Sequence, residues 1–250
     1  MRVDLNADLG EGFGPYGLGD DAAVLDCVSS ANVACGFHAG DPAIMRRTVL
    51  AAGDRGVAVG AHPGFADRRG FGRREMAATP EEVYADVLYQ IGALAGFCRA
   101  AGVPLRHVKP HGALYNMAAR DRALAQAVAS AVRDFAPDLV LYGLAGSELL
   151  AAGREAGLHV ASEFFADRAY TAGGGLVPRG MPGAVIADPE IAIARVLQAV
   201  REGVVETIEG TRAPVAVDTV CLHGDEPRAV AFARRLREAL EEAGIRVIAP

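Results

Sequence analysis

Short β-branched runs alternate with helical patterns along the whole chain, and that alternation restricts it to folds built on a parallel sheet or barrel. Runs at 2–5 (RVDL), 31–35 (ANVAC), 57–61 (VAVGA), 105–109 (LRHVK), 139–143 (LVLYG), 159–163 (HVASE), 218–222 (DTVCL) and 245–249 (IRVIA) read as eight strands. Three of the segments between them open on a capping side chain followed by proline: Asp41-Pro42, Thr79-Pro80 and Asp188-Pro189. The cap oxygen satisfies free amides of the first helical turn, and proline at the first position has no amide to leave unpaired. Glu82, three residues after Thr79, completes a capping box. Val83, Tyr84, Val87, Leu88, Ile91 and Leu94 then share one helical face, as a helix laid on a sheet requires. The last helix, near 226–243, runs into Gly244 and the final strand, while the first crossover, 18–30, has room only for a short helix. The pattern predicts a distorted TIM-like (β/α) barrel of seven to eight parallel strands, with a doubly wound open sheet as the competing arrangement. At 250 residues, with no linker, composition break or fixed-period repeat, a single barrel domain over 1–250 is expected.

Both folds place their sites at the carboxyl ends of the strands. Those positions carry Asn6, Asp8 and Glu11 after the first strand, His38 and Asp41 after the second, and His62 after the third. Lys109 and His111 follow the fourth, Glu163, Asp167 and Arg168 the sixth, and His223 and Asp225 the seventh. Four of the six histidines thus stand at the ends of four different strands, each with a glycine within two residues, which suits close backbone approach to a ligand. His107 and His159 open their strands and are read as structural.

Lys109 is the only lysine among 25 lysines and arginines. An ammonium loses its proton readily when desolvated, whereas guanidinium does not, so a lone lysine here is a candidate general acid, general base or oxyanion stabiliser. The structural alternative is a buried lysine paired with an acid. Histidines with nearby acids raise the possibility of a metal, but no pair has a compact motif such as H-E-x-x-H, and a lysine beside the cluster would repel a cation. No metal is expected in this chain. GFGPYG (12–17) matches G-x-G-x-x-G formally, yet Pro15 and Gly19 make it an extended loop rather than a helix start. Two glycine-rich segments, 63–74 with Arg69, Arg73 and Arg74, and 172–183 with Arg179, suit lids that carry a carboxylate or phosphate clamp.

A formal net charge of −6 with scattered arginines argues against nucleic acid or an anionic membrane as partner and favours a small-molecule ligand. Cys27, Cys35, Cys98 and Cys221 form no C-x-x-C and read as reduced, buried thiols. No apolar leader region or run of about 18 apolar residues occurs, so a cytoplasmic location is expected.

DLNADLGEGFG (4–14), SANVACGFHAGDP (30–42), GAHPGFADRRGFGRR (60–74), KPHGALYN (109–116), SEFFADRAY (162–170) and VCLHGD (220–225) together resemble the signature blocks of the LamB/YcsF family. The resemblance implies a barrel related to the glycoside hydrolase and polysaccharide-deacetylase barrels. It further implies ATP-dependent cleavage of 5-oxo-L-proline (pyroglutamate) to L-glutamate with two partner subunits, B and C. ATP is then a co-substrate, held here or on the partners, with Mg accompanying it. In that setting Lys109 and His111 are expected to stabilise charge or move protons, and Asp8 or Glu163 to activate water. Arg168 and Arg179 are expected to hold carboxylate or phosphate, and Asn6, Glu11, His38, Asp41, His62, Asp167, His223 and Asp225 to bind and orient ligand. The competing readings are a stand-alone metal-dependent amide hydrolase or deacetylase, and a non-catalytic ligand-binding subunit.

Overall fold

The computed structural model describes residues 1–222 and 229–250; His223 and Asp225 lie outside the described residues. Among these, seven parallel strands close a barrel. They are β1 (Arg2–Leu9), β2 (Ser30–Ala34), β3 (Ala58–His62), β4 (Leu105–Val108), β5 (Val140–Leu144), β6 (His159–Phe165) and, after an antiparallel hairpin of β7 (Val204–Glu206) and β8 (Arg212–Pro214), β9 (Thr219–Leu222). β9 pairs with both β6 and β1, and this closure rules out the open doubly wound sheet. The eighth expected strand, β10 (Arg246–Val247), pairs only with Arg2 and Val3 at the start of β1. The β7–β8 hairpin has no counterpart among the eight strands expected from sequence.

Helices α1 (Asp21–Leu25), α2 (Pro42–Asp54), α3 (Pro80–Ala101), α4 (Gly112–Ala118), α5 (Arg122–Phe135), α6 (Glu148–Glu155), α7 (Pro189–Glu202) and α8 (Ala229–Glu242) connect the strands. All three expected caps form: Asp41 accepts from the amides of Ala43 and Ile44, Thr79 and Glu82 make the reciprocal capping box, and Asp188 accepts from Glu190 and Ile191. The core-facing stripe of α3 is Val83, Val87, Ile91, Leu94 and Cys98, with Tyr84 and Leu88 half-buried at its margin.

β1 shows how the barrel interior differs from an ordinary core. Leu5, Ala7 and Leu9 join the apolar layer around the strands, while the alternate positions Asp4 and Asn6 are buried and polar. Asp4 accepts from Ser29, Ser30, Tyr142 and Thr219, so the desolvation that pushes its pKa up is met by four donors. His107 occupies the same interior. It stacks on Tyr142 at 4.2 Å between ring centroids, and its Nε2 donates to Asn32 Oδ1 at 2.8 Å. A Cβ at Gly60 would lie 2.1 Å from the His107 ring, so the glycine is what admits the imidazole.

Burial, reinforced by the nearby Lys109 charge, pushes the His107 pKa down to about 3. The folded barrel therefore refuses a proton that the unfolded chain accepts below its ordinary histidine pKa, and stability falls as pH drops from about 6.5 toward 3. His107→Gln keeps a donor for Asn32 and removes the titration. Urea unfolding across that window should show the slope of unfolding free energy against pH reduced by about 1.4 kcal/mol per pH unit. An unchanged slope would assign the acid sensitivity to other groups.

Candidate active site

The carboxyl end of the barrel is organised around Lys109, which follows β4 and is 2% exposed. Its ammonium donates to Asp8 Oδ1 at 2.9 Å, to Asn6 Oδ1 at 3.1 Å and to Cys221 Sγ at 3.1 Å, and lies 2.8 Å from Glu163 Oε1. Burial alone would discharge it, but the surrounding groups, Asp8 foremost, override burial and hold its pKa well above the ordinary lysine value. Of the roles expected of Lys109, charge stabilisation is the one that a raised pKa favours. Burial first, opposed by the ammonium and aided by the Asp8 and Glu163 charges, holds the Cys221 thiol well above its usual pKa.

Asn6 is fully buried, donates to Glu163 Oε1 (3.0 Å) and Thr219 Oγ1 (2.7 Å), and accepts from Asn32 (2.7 Å). It positions the charged groups and does not face the cavity, contrary to the ligand-binding role expected of it. Glu163 is also fully buried and outside the cavity wall, whereas the Asp8 side chain is 15% exposed and lines it. Of the two carboxylates expected to activate water, only Asp8 can reach one.

Beside the lysine sit three histidines from three strand ends. His62 Nδ1 donates to the Lys109 carbonyl at 2.7 Å, and His111 Nε2 donates to the Phe71 carbonyl at 2.8 Å. Each ring therefore turns its second nitrogen toward the other, and His62 Nε2 and His111 Nδ1 lie 3.0 Å apart. Glu11 Oε1 is 3.6 Å from both His111 Nδ1 and His38 Nε2, and His38 stacks on His111 at 3.8 Å between ring centroids. Burial, then the neighbouring His62, pushes the His111 pKa down to about 3; burial, then His111, pushes His38 well below the usual histidine value. The lowered pKa favours a neutral His111 whose N–H is donated to the Phe71 carbonyl. No compact motif was needed to gather these donors: Glu11, His38, His62 and His111 each offer a ligand atom within 4.8 Å of all the others. The lysine objection to a cation also lapses, since Asp8 and Glu163 offset its charge.

A cavity of about 520 Å³ opens above this floor. Asp8, Glu11, His62, Lys109 and His111 line it, together with Tyr115, Arg73, Arg168 and Arg179. Arg168 is largely committed to structure, donating to the carbonyls of Val177 (2.6 Å) and Ala184 (3.4 Å). Arg179 is exposed at the rim. Asp41 is not a ligand group of this cavity. One oxygen caps α2 and the other accepts from Gly14 at 2.8 Å, in the wall of a second cleft that also holds Arg69 and Arg74. Asp167 lies outside the wall of the main cavity as well.

The segment 63–74 is anchored rather than poised as a lid. Phe65 and Asp67 are buried, Gln90 on α3 clasps the Gly64 amide (3.0 Å) and carbonyl (2.9 Å), and Arg74 Nε donates to Asp67 at 2.8 Å. Gln90 sits at a core position of α3 where sequence periodicity gives no reason for a polar residue. Phe71 has a positive φ of 54°, the strained geometry that aims its carbonyl at His111. Of the glycines that follow the strand-end histidines, Gly64 packs against His38, where a Cβ would come within 2.7 Å, while Gly40 and Gly112 pack against backbone carbonyls; Gly72, elsewhere in the loop, also approaches His38 to 2.7 Å. Tyr115, Asn32 and Thr219 were invisible as site residues in the sequence. Only position along a strand marks Asn32 and Thr219, and nothing marks Tyr115, whose buried phenol is held neutral by desolvation and then by the Glu163 charge.

The LamB/YcsF family model matches residues 3–250. The chain is 59% identical over 248 residues to the A subunit of 5-oxoprolinase from Geobacillus kaustophilus (strain HTA426), covering 99% of this chain and 96% of that one. It is 53% identical over 249 residues to the A subunit of 5-oxoprolinase from Bacillus subtilis (strain 168), covering 100% and 97%. The crystal structure of a lactam utilization protein from Thermus thermophilus matches the fold with a TM-score of 0.95 at 55% identity, with 100% of both chains covered.

Proposed function

The chain belongs to the LamB/YcsF family, and from that premise we propose that it is the A subunit of a 5-oxoprolinase, opening the lactam of 5-oxo-L-proline to L-glutamate with hydrolysis of ATP, together with subunits B and C. The observation that carries the reading is the Lys109 ammonium fixed between Asp8 and Glu163 beneath a cavity rimmed by arginines. A cavity of about 520 Å³ readily accommodates a five-membered lactam acid. A cytoplasmic location fits the use of ATP.

A lactam carbonyl is a poor electrophile, because its nitrogen lone pair is delocalised into it. Phosphoryl transfer from ATP to the carbonyl oxygen gives a phosphorylated imidate, whose ring carbon water can attack. The Asp8 carboxylate takes the water proton, Lys109 steadies negative charge on the oxygen that water brings, and the ring C–N bond breaks as nitrogen gains a proton, leaving a γ-glutamyl phosphate that a second water hydrolyses to glutamate and phosphate. Arg73 and Arg179 hold the substrate carboxylate or the phosphate at the mouth of the cavity.

ATPase and glutamate-release assays on this chain, with and without subunits B and C, test the reading. Glutamate and ADP should appear only when all three subunits, ATP and 5-oxoproline are present. Amide hydrolysis by this chain alone, without ATP, would instead establish the stand-alone hydrolase that the carboxylate–histidine cluster also suits.

A further inference from the structure

We propose that Glu11, His38, His62 and His111 bind one divalent transition-metal ion of the zinc class. His62 and His111 each donate their distal N–H to a backbone carbonyl, of Lys109 (2.7 Å) and Phe71 (2.8 Å). A carbonyl acceptor of this kind is the usual partner of a metal-ligating histidine, fixing the tautomer and the ring orientation. It leaves the second ring nitrogens of the two histidines facing each other at 3.0 Å, an arrangement that repels unless a cation or a proton lies between them. Ligands about 2.0–2.1 Å from zinc stand roughly 3.3–3.4 Å apart at a tetrahedral angle and roughly 2.9–3.0 Å apart at a right angle. The spacings of 3.0 Å between His62 and His111 and 3.6 Å from Glu11 to His111 and to His38 suit such a centre, with His38 turning out of its parallel stack on His111 to present its nitrogen to the ion.

His38 supplies an independent observation. It is 1% exposed, yet neither of its ring nitrogens has a hydrogen-bond partner. A buried polar group left in this state calls for an explanation, and its Nε2 points to the same Glu11 oxygen that faces His111. The surroundings are shaped for the rings: Gly64 and Gly72 leave space that any side chain would fill, and Phe71 holds a positive φ to present its carbonyl. Glu11, His62 and His111 line the cavity, so a bound ion would face its contents with Asp8 3.3 Å from His62. An ion there supplies a Lewis acid and lowers the pKa of bound water.

The full-length chain, stripped with chelator and dialysed, is titrated calorimetrically with Zn, Co and Mn chlorides, and the cobalt form is examined by visible absorption. One ion per chain is expected, with cobalt bands of nitrogen and oxygen ligation. Glu11→Gln and His62→Gln, each shown to be folded by circular dichroism, should weaken binding by at least about 100-fold, exceeding the effect of losing an outer-shell partner. Three results overturn the site: no stoichiometric uptake by the unaltered chain, as expected if His62 and His111 merely share a proton; cobalt spectra with thiolate charge transfer; or full affinity in both folded variants. Because binding is read without substrate or partner subunits, its failure leaves the 5-oxoprolinase reading intact.

Discussion

Lys109→Met is expected to destabilise the chain by about 3–5 kcal/mol, a large share of the roughly 5–15 kcal/mol that holds a domain folded. The methionine replaces the aliphatic stem of the lysine but leaves the carboxylates of Asp8 and Glu163, which lie 2.9 and 2.8 Å from Nζ, without their shared cation. Glu163 is fully buried and has no water to turn to. Lys109→Arg separates charge from shape. A guanidinium keeps the cation but must fit where Asn6, Asp8, Glu163 and Cys221 converge on a single nitrogen. The arginine variant should keep most of the stability, yet release glutamate about 100-fold more slowly or worse in the assembled enzyme, because the oxyanion contact is displaced by about an ångström. Urea unfolding and glutamate release, measured on both variants, check the pair of effects. A methionine variant within about 1 kcal/mol of the parent would show that the ion triad does not hold the barrel end together.

Asp8→Asn should lower kcat for glutamate release by about 100- to 10,000-fold, the range for loss of a positioned general base. The amide retains the size of the side chain and can still accept from Asn32 and Lys109, so the fold should survive with a far smaller stability loss than Lys109→Met. Glu163→Gln provides the contrast, because that carboxylate balances charge from outside the cavity wall. It should cost about 1–3 kcal/mol of stability, as a buried charge partner is lost, with a smaller fall in kcat than Asp8→Asn. The reverse ranking in kcat would transfer the base role to Glu163.

The strand and helix order is legible in the sequence because the signals behind it are local. The proline-followed caps at Asp41, Thr79 and Asp188 form as their spacing dictates. For β1 the local signal falls short: only 2–5 reads as strand, although the strand continues to Leu9. Its inner face is polar, so Asn6 and Asp8 look like loop residues when apolar periodicity is the guide. The same local logic misleads at Asp41. A carboxylate at a strand end and a helix cap are the same residue type in the same context, and here the cap uses it. His107 lies outside the cavity wall, as its place at the start of a strand predicts. Its tip nevertheless reaches Asn32, which in turn donates to Asp8 at 2.9 Å, so it supports the site from below.

The sequence by itself determined the parallel α/β class, the strand ends that carry chemistry, and the singular place of Lys109, because periodicity, caps and residue type are properties of short stretches of chain. Tertiary structure alone decided what those residues are. Lys109 became a fixed cation because closure of β9 onto β1 and β6 brings Asn6, Glu163 and Cys221 around it, with Asp8 from the same β1. Four side chains of types that can ligate a metal, spread from Glu11 to His111, became one cluster because β1, β2, β3 and β4 are neighbours in the sheet. Charge state and ligand geometry depend on distances of a few ångströms across the barrel, and separation along the chain does not encode those distances.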